Sequence, residues 1–115
     1  AMLAWMGFNY LRIRRAAKIV DNEEFEALIR TGQLIDLRDP AEFHRKHILG
    51  ARNIPSSQLK TSLAALRKDK PVLLYENQRA QRVTNAALYL KKQGFSEIYI
   101  LSYGLDSWKG KIKTS

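Results

Sequence analysis

The sequence predicts an α/β fold, a parallel sheet with helices on both faces. Three observations lead there. Strand-like apolar runs alternate with helical patterns along most of the 115 residues, the order that produces parallel strands joined by crossover helices. The run Val72-Leu73-Leu74-Tyr75 is apolar at every position, as a strand covered on both sides must be. Directly after it, a polar and basic turn leads into Val83, Ala86, Ala87 and Leu90 at helical spacing, closed by Gly94.

In chain order, the first residues stand apart. Ala1 to Leu11 is apolar and aromatic, with Trp5, Phe8 and Tyr10, and then meets Arg12, Arg14 and Arg15. Ala1 before Met2 reads as a cloning scar. Eleven helical residues reach about 16 Å, roughly half of a hydrocarbon core that needs about 20 residues. Residues 1–15 therefore read as the inner half of a membrane anchor, with the arginines on the cytoplasmic side. The alternative is an amphipathic helix that packs on this domain or on a second copy, giving a homodimer. No small-residue cleavage site follows the apolar run, which argues against a signal peptide.

Residues 16–115 form the predicted domain. Ala17 to Val20 is a short strand, and Asp21 caps a helix with Glu24 in capping-box position and Phe25, Leu28 and Ile29 on its apolar face. Thr31-Gly32 ends that helix. Gln33 to Arg38 is the next strand. Asp39-Pro40 starts a short helix running to about Lys46, with Pro at its first position and Glu42 in its first turn. Gly50 to Pro55 is a turn with a brief extended piece. A helix is expected from Ser57, carrying Leu59, Leu63 and Leu66 inward and ending in the basic run Arg67 to Lys70. After the central strand and helix, Glu97 to Leu101 is a strand, Tyr103-Gly104 a turn, and Asp106 to Lys109 a final helical turn with Trp108 in the core. Lys111 to Ser115 is expected to fray.

Composition narrows the function. At 45% apolar and 27% charged the chain is globular, not disordered. It has no cysteine, which excludes disulfides, thiolate metal sites and a cysteine nucleophile. His44 and His47 have no ligand-like cluster around them, so neither a metal nor another cofactor is expected. The net charge of +9 is spread along the chain. Without a nucleic-acid-reading motif it describes a solvated basic surface, and no nucleic-acid partner is expected.

The informative stretch is Glu76-Asn77-Gln78-Arg79-Ala80-Gln81-Arg82. A strand that stops at a polar turn and feeds a helix aims unpaired backbone N–H groups at one point, and such a cradle binds anions. Glu76 stands at its lip. Arg79 and Arg82 are the best candidates for a functional contact with a small anion or a protein. Asp36 and Arg38, at a strand end, read as an acid and a base.

Several motifs together resemble the rhodanese-like family: Ile35-Asp36-Leu37-Arg38, Glu42-Phe43, the run His47-Ile48-Leu49-Gly50-Ala51-Arg52-Asn53-Ile54-Pro55, the central strand, Gly94-Phe95, and Gly104 with Trp108. The resemblance spans residues 17 to 112 and is nearest to single-domain, often membrane-tethered bacterial members. It implies a rhodanese fold with an active-site loop after the central strand, and a structural role for His47 in a packing motif. It assigns Asp36 and Arg38 to pinning the loop that follows their strand instead of to acid–base work. Family members with sulfurtransferase activity carry there a cysteine that takes up sulfane sulfur as a persulfide. Here that position is Glu76. The family's loop glycine is also missing, and Lys46 and Tyr103 stand where glycines are usual.

From Glu76 to Arg82 the loop has five residues between its ends. Sulfurtransferases of the family usually close it one residue shorter, whereas phosphatase relatives carry Cys-x5-Arg. The loop therefore resembles the phosphate-sized cradle with glutamate in place of the nucleophile, although Gln81 takes the arginine's place if the extra residue lies elsewhere. Two conformations are open. Either a side chain turns inward (Glu76 as a built-in anion bonded to loop N–H groups and paired with Arg82, or the Arg82 guanidinium itself), or Glu76 points to solvent above an idle loop. The expected function is a catalytically degenerate domain at the cytoplasmic face of the cell membrane, acting as a binding or regulatory module. The rivals are a sulfurtransferase or phosphatase-like enzyme of this family, and a purely structural, dimerising domain.

Overall fold

The computed structural model describes residues 17–77 and 81–114. Five strands form one parallel sheet: β1 (Lys18–Val20), β2 (Gln33–Asp36), β4 (Arg52–Asn53), β5 (Val72–Tyr75) and β6 (Ile98–Leu101), in the spatial order β1-β6-β5-β2-β4. Helix α1 (Asn22–Ile29) covers one face and α3 (Gln81–Lys92) the other, while the short α2 (Pro40–Arg45) leads out of the sheet into β3 (Lys46–Ile48). The expected α/β architecture is present.

Alternation along the strands sorts the side chains into two apolar layers. Ile35, Val72, Leu74, Ile98 and Ile100 pack with Val83, Ala86, Ala87 and Leu90 of α3. Leu34, Leu73, Tyr75 and Leu101 pack around Phe25 of α1. Both layers need β5, whose four residues are fully buried. Burying a side chain of this kind is worth about 1.5–3 kcal/mol each, so β5 anchors the sheet and fixes where its C-terminal end emerges.

The local signals account for most boundaries. Asp21 Oδ1 accepts the Glu24 N–H at 2.9 Å and caps α1. The reciprocal half of the capping box is not used, because the Glu24 carboxylate lies 3.8 Å from Lys18 Nζ instead. Pro40 opens α2 without a side-chain cap from Asp39. Gly94, at φ +100°, lets the chain leave α3 in a conformation that other residues avoid.

Two expectations fail. The helix expected from Ser57 is a pair of 3-10 turns, Ser56–Gln58 and Leu63–Ala65. The Thr61 hydroxyl competes for its backbone groups, donating at 2.9 Å to the Gln58 carbonyl that also accepts the Ser62 N–H at 3.0 Å. Its leucines still turn inward, with Leu59 and Leu66 buried. Gln33 fastens the segment to β2 by donating to the Arg67 carbonyl and accepting the Arg67 N–H, both at 2.7 Å. The C-terminal stretch expected to fray forms β7 (Ile112–Thr114), antiparallel to β3 with Ile48 opposite Ile112. All three β7 side chains are exposed, so no apolar alternation marked the strand; its order comes from backbone pairing. The apolar residues 1–15 lie outside the described residues.

Candidate functional site

The C-terminal end of β5 is tied into its surroundings at each step. Tyr75 O accepts the Leu37 N–H at 3.1 Å, Glu76 O the Leu105 N–H at 2.8 Å, and Asn77 O the Asp106 N–H at 3.0 Å. The last two bonds come from the 3-10 turn Leu105–Ser107 that follows Gly104. A Cβ on Gly104 would meet the carbonyl oxygens of Asn77 and Glu76, the latter at 2.6 Å, and φ there is +70°. Gly104 is thus the contact that lets the C-terminal segment grip the loop.

Glu76 turns inward. Its side chain is buried, and Oε2 accepts the Val83 N–H at 2.8 Å. Val83 is the third residue of α3, so its N–H is among those that the helix leaves unpaired. The carboxylate thus sits on the positive end of the helix, as an N-terminal cap supplied from the preceding strand. Of the two conformations the sequence left open, the inward one is present. The expected pairing with Arg82 is not: among the described residues no ion pair joins them. The helix geometry explains this. Val83 faces the core, and Arg82, about 100° around the helix, is exposed on another side. Of the other candidates, Gln81 begins α3 and donates to Asn85 Oδ1 at 2.8 Å, while Gln78, Arg79 and Ala80 lie outside the described residues.

Asn77 joins the loop to a buried polar cluster. Its Oδ1 accepts from Arg38 Nη1 at 3.0 Å and its Nδ2 donates to Glu42 Oε2 at 2.7 Å. Arg38 meets the Asp36 carboxylate through Nε at 3.1 Å and Nη2 at 2.8 Å, and Nη2 also donates to the Lys46 carbonyl. Asp36 is fully buried and Arg38 nearly so. Burial alone would lower the Arg38 pKa. The hydrogen bonds to Asp36 and its charge outweigh burial and raise it, so the guanidinium stays charged. Tyr75 completes the cluster: its hydroxyl accepts the Ile48 N–H at 3.0 Å. Burial first, and the neighbouring Asp36 second, hold this phenol protonated far above its usual range. The pair Asp36–Arg38 pins the loop that follows β2, where Asp36 Oδ1 accepts the Arg38 N–H at 2.9 Å, and through Asn77 it also holds the loop after β5.

His47 is structural. Its ring stacks on Phe43 at 3.8 Å between centroids, and Nδ1 lies 2.7 Å from the Phe43 carbonyl. A carbonyl oxygen can only accept, so Nδ1 carries the proton. Trp108 packs its edge on Phe25 at 5.9 Å but is only partly buried.

Beside the loop, a groove of about 340 Å³ opens between the 3-10 turn at Ser56–Gln58 and the first two turns of α3. Leu59, Ala86 and Tyr89 give it an apolar floor and wall; Lys60, Arg82 and Asn85 stand at its rim. Sequence reasoning placed Arg82 but missed Lys60, Asn85 and Tyr89. Their signal was present: Arg82, Asn85 and Tyr89 recur at helical spacing next to the buried face, a stripe that a search for core residues passes over.

The comparisons agree with this geometry. Residues 21–111 match the Rhodanese-like domain family. The chain belongs to the rhodanese-like family. This rhodanese-like chain is 49% identical over 113 residues to YqhL, an uncharacterised protein of Bacillus subtilis, covering 98% of the chain and 89% of that protein. It is 36% identical over 95 residues to the thiosulfate sulfurtransferase GlpE of Stutzerimonas stutzeri, covering 80% of the chain and 84% of the relative. Among solved structures, a rhodanese-related protein of Thermoplasma volcanium superimposes with a TM-score of 0.75 at 22% identity, over 84% of this chain and 97% of the other. At 18% identity, a rhodanese-like domain protein of Staphylococcus aureus gives 0.75 over 85% and 98%. Both share the fold.

Proposed function

We propose that this is a catalytically degenerate rhodanese-like domain, a binding or regulatory module tethered at the cytoplasmic face of the membrane by its N-terminal segment. The observation that carries the reading is the Glu76 carboxylate on the Val83 N–H. In a sulfurtransferase of this fold the helix end would favour a thiolate and its persulfide. Here it is filled by a covalently attached oxygen anion that cannot carry a second sulfur, in a chain with no cysteine. The module's partner, a protein or a small anion, is met beside the loop, at Arg79 and Arg82. The apolar and arginine-rich composition of residues 1–15 supports the tether.

Incubation with thiosulfate and cyanide tests the catalytic half. The expected thiocyanate yield equals a blank without protein, and turnover above it overturns the reading. Hydrolysis of para-nitrophenyl phosphate serves the same purpose for the phosphatase-like rival. Kinship with GlpE supports an enzymatic reading at the level of the family only. Glu76→Cys asks whether the cradle survives without its plug, and gain of thiocyanate formation is the expected result. Detergent, but not high salt, releasing the full-length protein from cell membranes is expected of the tether.

A further inference from the structure

We propose that the groove between the Ser56–Lys60 turn and α3 docks an acidic peptide segment of a partner protein. One apolar side chain of the peptide lies against Leu59, Ala86 and Tyr89, and its carboxylates are read by Lys60 and Arg82. The proposal rests on the binding-module reading and gives that module its partner chemistry.

The volume of about 340 Å³ lies at the small end of ligand clefts, enough for one or two side chains. Leu59 and Ala86 are nearly fully buried and present a firm floor. Tyr89 is half-buried, and the exposed Lys60 places its Nζ 5.8 Å from that ring centroid, at the edge of the groove. Arg82 is exposed on the opposite rim, with no ion pair among the described residues. None of the described lining residues is acidic, so the rim carries positive charge without an internal counter-charge.

The plug decides how an anion is met. Since Glu76 holds the Val83 N–H, that helix-end donor is already taken, and an incoming carboxylate meets side chains instead. Concavity with an apolar floor favours a peptide over a lipid surface, which needs a flat or convex basic face to lie against headgroups.

The probe is a fluorescein-labelled decapeptide of alternating glutamate and leucine, titrated into the full chain by fluorescence anisotropy, with amide NMR shifts mapping the site. The expected shifts cluster at residues 56–60 and 81–89. Lys60→Glu with Arg82→Glu should weaken binding roughly tenfold, the sum of two exposed charge contacts. Lys109→Glu with Lys111→Glu makes the same change in charge beside Trp108, which packs on α1 across the sheet from the groove, and should leave binding within about twofold. Tyr89→Ala, and glutamine for glutamate in the peptide, should each weaken it. Equal losses from the two double variants, or shifts elsewhere, overturn the proposal as unspecific charge attraction. Vesicles of phosphatidylglycerol and phosphatidylcholine that lose Lys60→Glu/Arg82→Glu protein, while the peptide is unaffected, overturn it in favour of a lipid surface. Absence of peptide binding without thiocyanate turnover sinks the groove proposal alone; turnover sinks the reading beneath it.

Discussion

Where the loop leaves β5, Glu76 and Asn77 are held through both backbone and side chain, by the turn at Leu105–Ser107, by Arg38 and Glu42, and by the end of α3. Where it enters α3, Arg82 stands exposed above an open groove. The difference teaches that the frame of the cradle and its chemistry use separate groups. Asp36, Arg38, Asn77 and Gly104 position the loop from outside, while the Glu76 side chain meets the start of α3.

The sharpest way to break the held end is through Arg38. Arg38→Ala leaves the fully buried Asp36 carboxylate without its cation and takes a donor from Asn77 and Lys46. A loss of about 3–5 kcal/mol is expected, since stranding one member of a buried pair costs far more than the pair is worth. Urea denaturation measures it. Asp36→Leu with Arg38→Met should recover much of that loss, because both charges leave together. If the double variant is as unstable as the single one, the pair matters for more than mutual compensation.

Gly104→Ala attacks the same end from the backbone. The added Cβ meets the Asn77 and Glu76 carbonyls at a positive φ, and about 2–3 kcal/mol of destabilisation is expected from clash and strain together. A matched Ala in the groove, Asn85→Ala, should change stability by less than about 0.5 kcal/mol. That contrast measures how differently the two ends are built.

Tyr75 gives the comparison a pH axis. Its folded pKa is raised, by burial first and by Asp36 second, above the unfolded value of about 10. The neutral phenol is the form that the fold favours, so this contribution is complete below about pH 10 and falls away as pH rises further. Tyr75→Phe should cost about 1–2 kcal/mol at pH 7 through the Ile48 N–H it leaves without an acceptor. It should also flatten the alkaline decline, as seen in unfolding curves from pH 9 to 11. An unchanged slope would remove Tyr75 from the cluster's electrostatics.

How much of this was legible in the sequence follows from what each feature depends on. The parallel sheet and both apolar layers were, because the all-apolar Val72–Tyr75 and the spacing of Val83, Ala86, Ala87 and Leu90 are statements about burial. Asp36 and Arg38 were readable as a pin only through the resembled fold, since two opposite charges at a strand end read alone as an acid and a base as well. Strand β7 was not, because its side chains are exposed and its order rests on backbone bonds to β3. The 3-10 turns after Pro55 were missed for a related reason: inward leucines look alike in any tight helical turn, and the Thr61 hydroxyl takes up the Gln58 carbonyl beside the backbone. At the site, the sequence left the inward and the outward Glu76 both open, and the choice of the Val83 N–H over the Arg82 guanidinium depends on the direction in which α3 presents each group. The groove needed two segments, around Lys60 and Tyr89, brought together only by folding.

The mildest test sits at the plug itself, where the two ends of the loop meet. Glu76→Gln keeps an oxygen that can accept the Val83 N–H but removes the charge. If the side chain is chiefly a cap, stability should fall by only about 0.3–1 kcal/mol, the worth of an anion at a helix N-terminus. Glu76→Ala, which removes the acceptor as well, should cost about 1–2 kcal/mol. Ordering Ala below Gln below Glu by chemical denaturation assigns the plug to the helix. An alanine variant as stable as the parent would mean that the strand end is already fully held by Asn77 and the Leu105–Ser107 turn. Glu76 would then serve only to occupy the anion cradle, and free sulfate should bind there in the alanine variant and not in the parent.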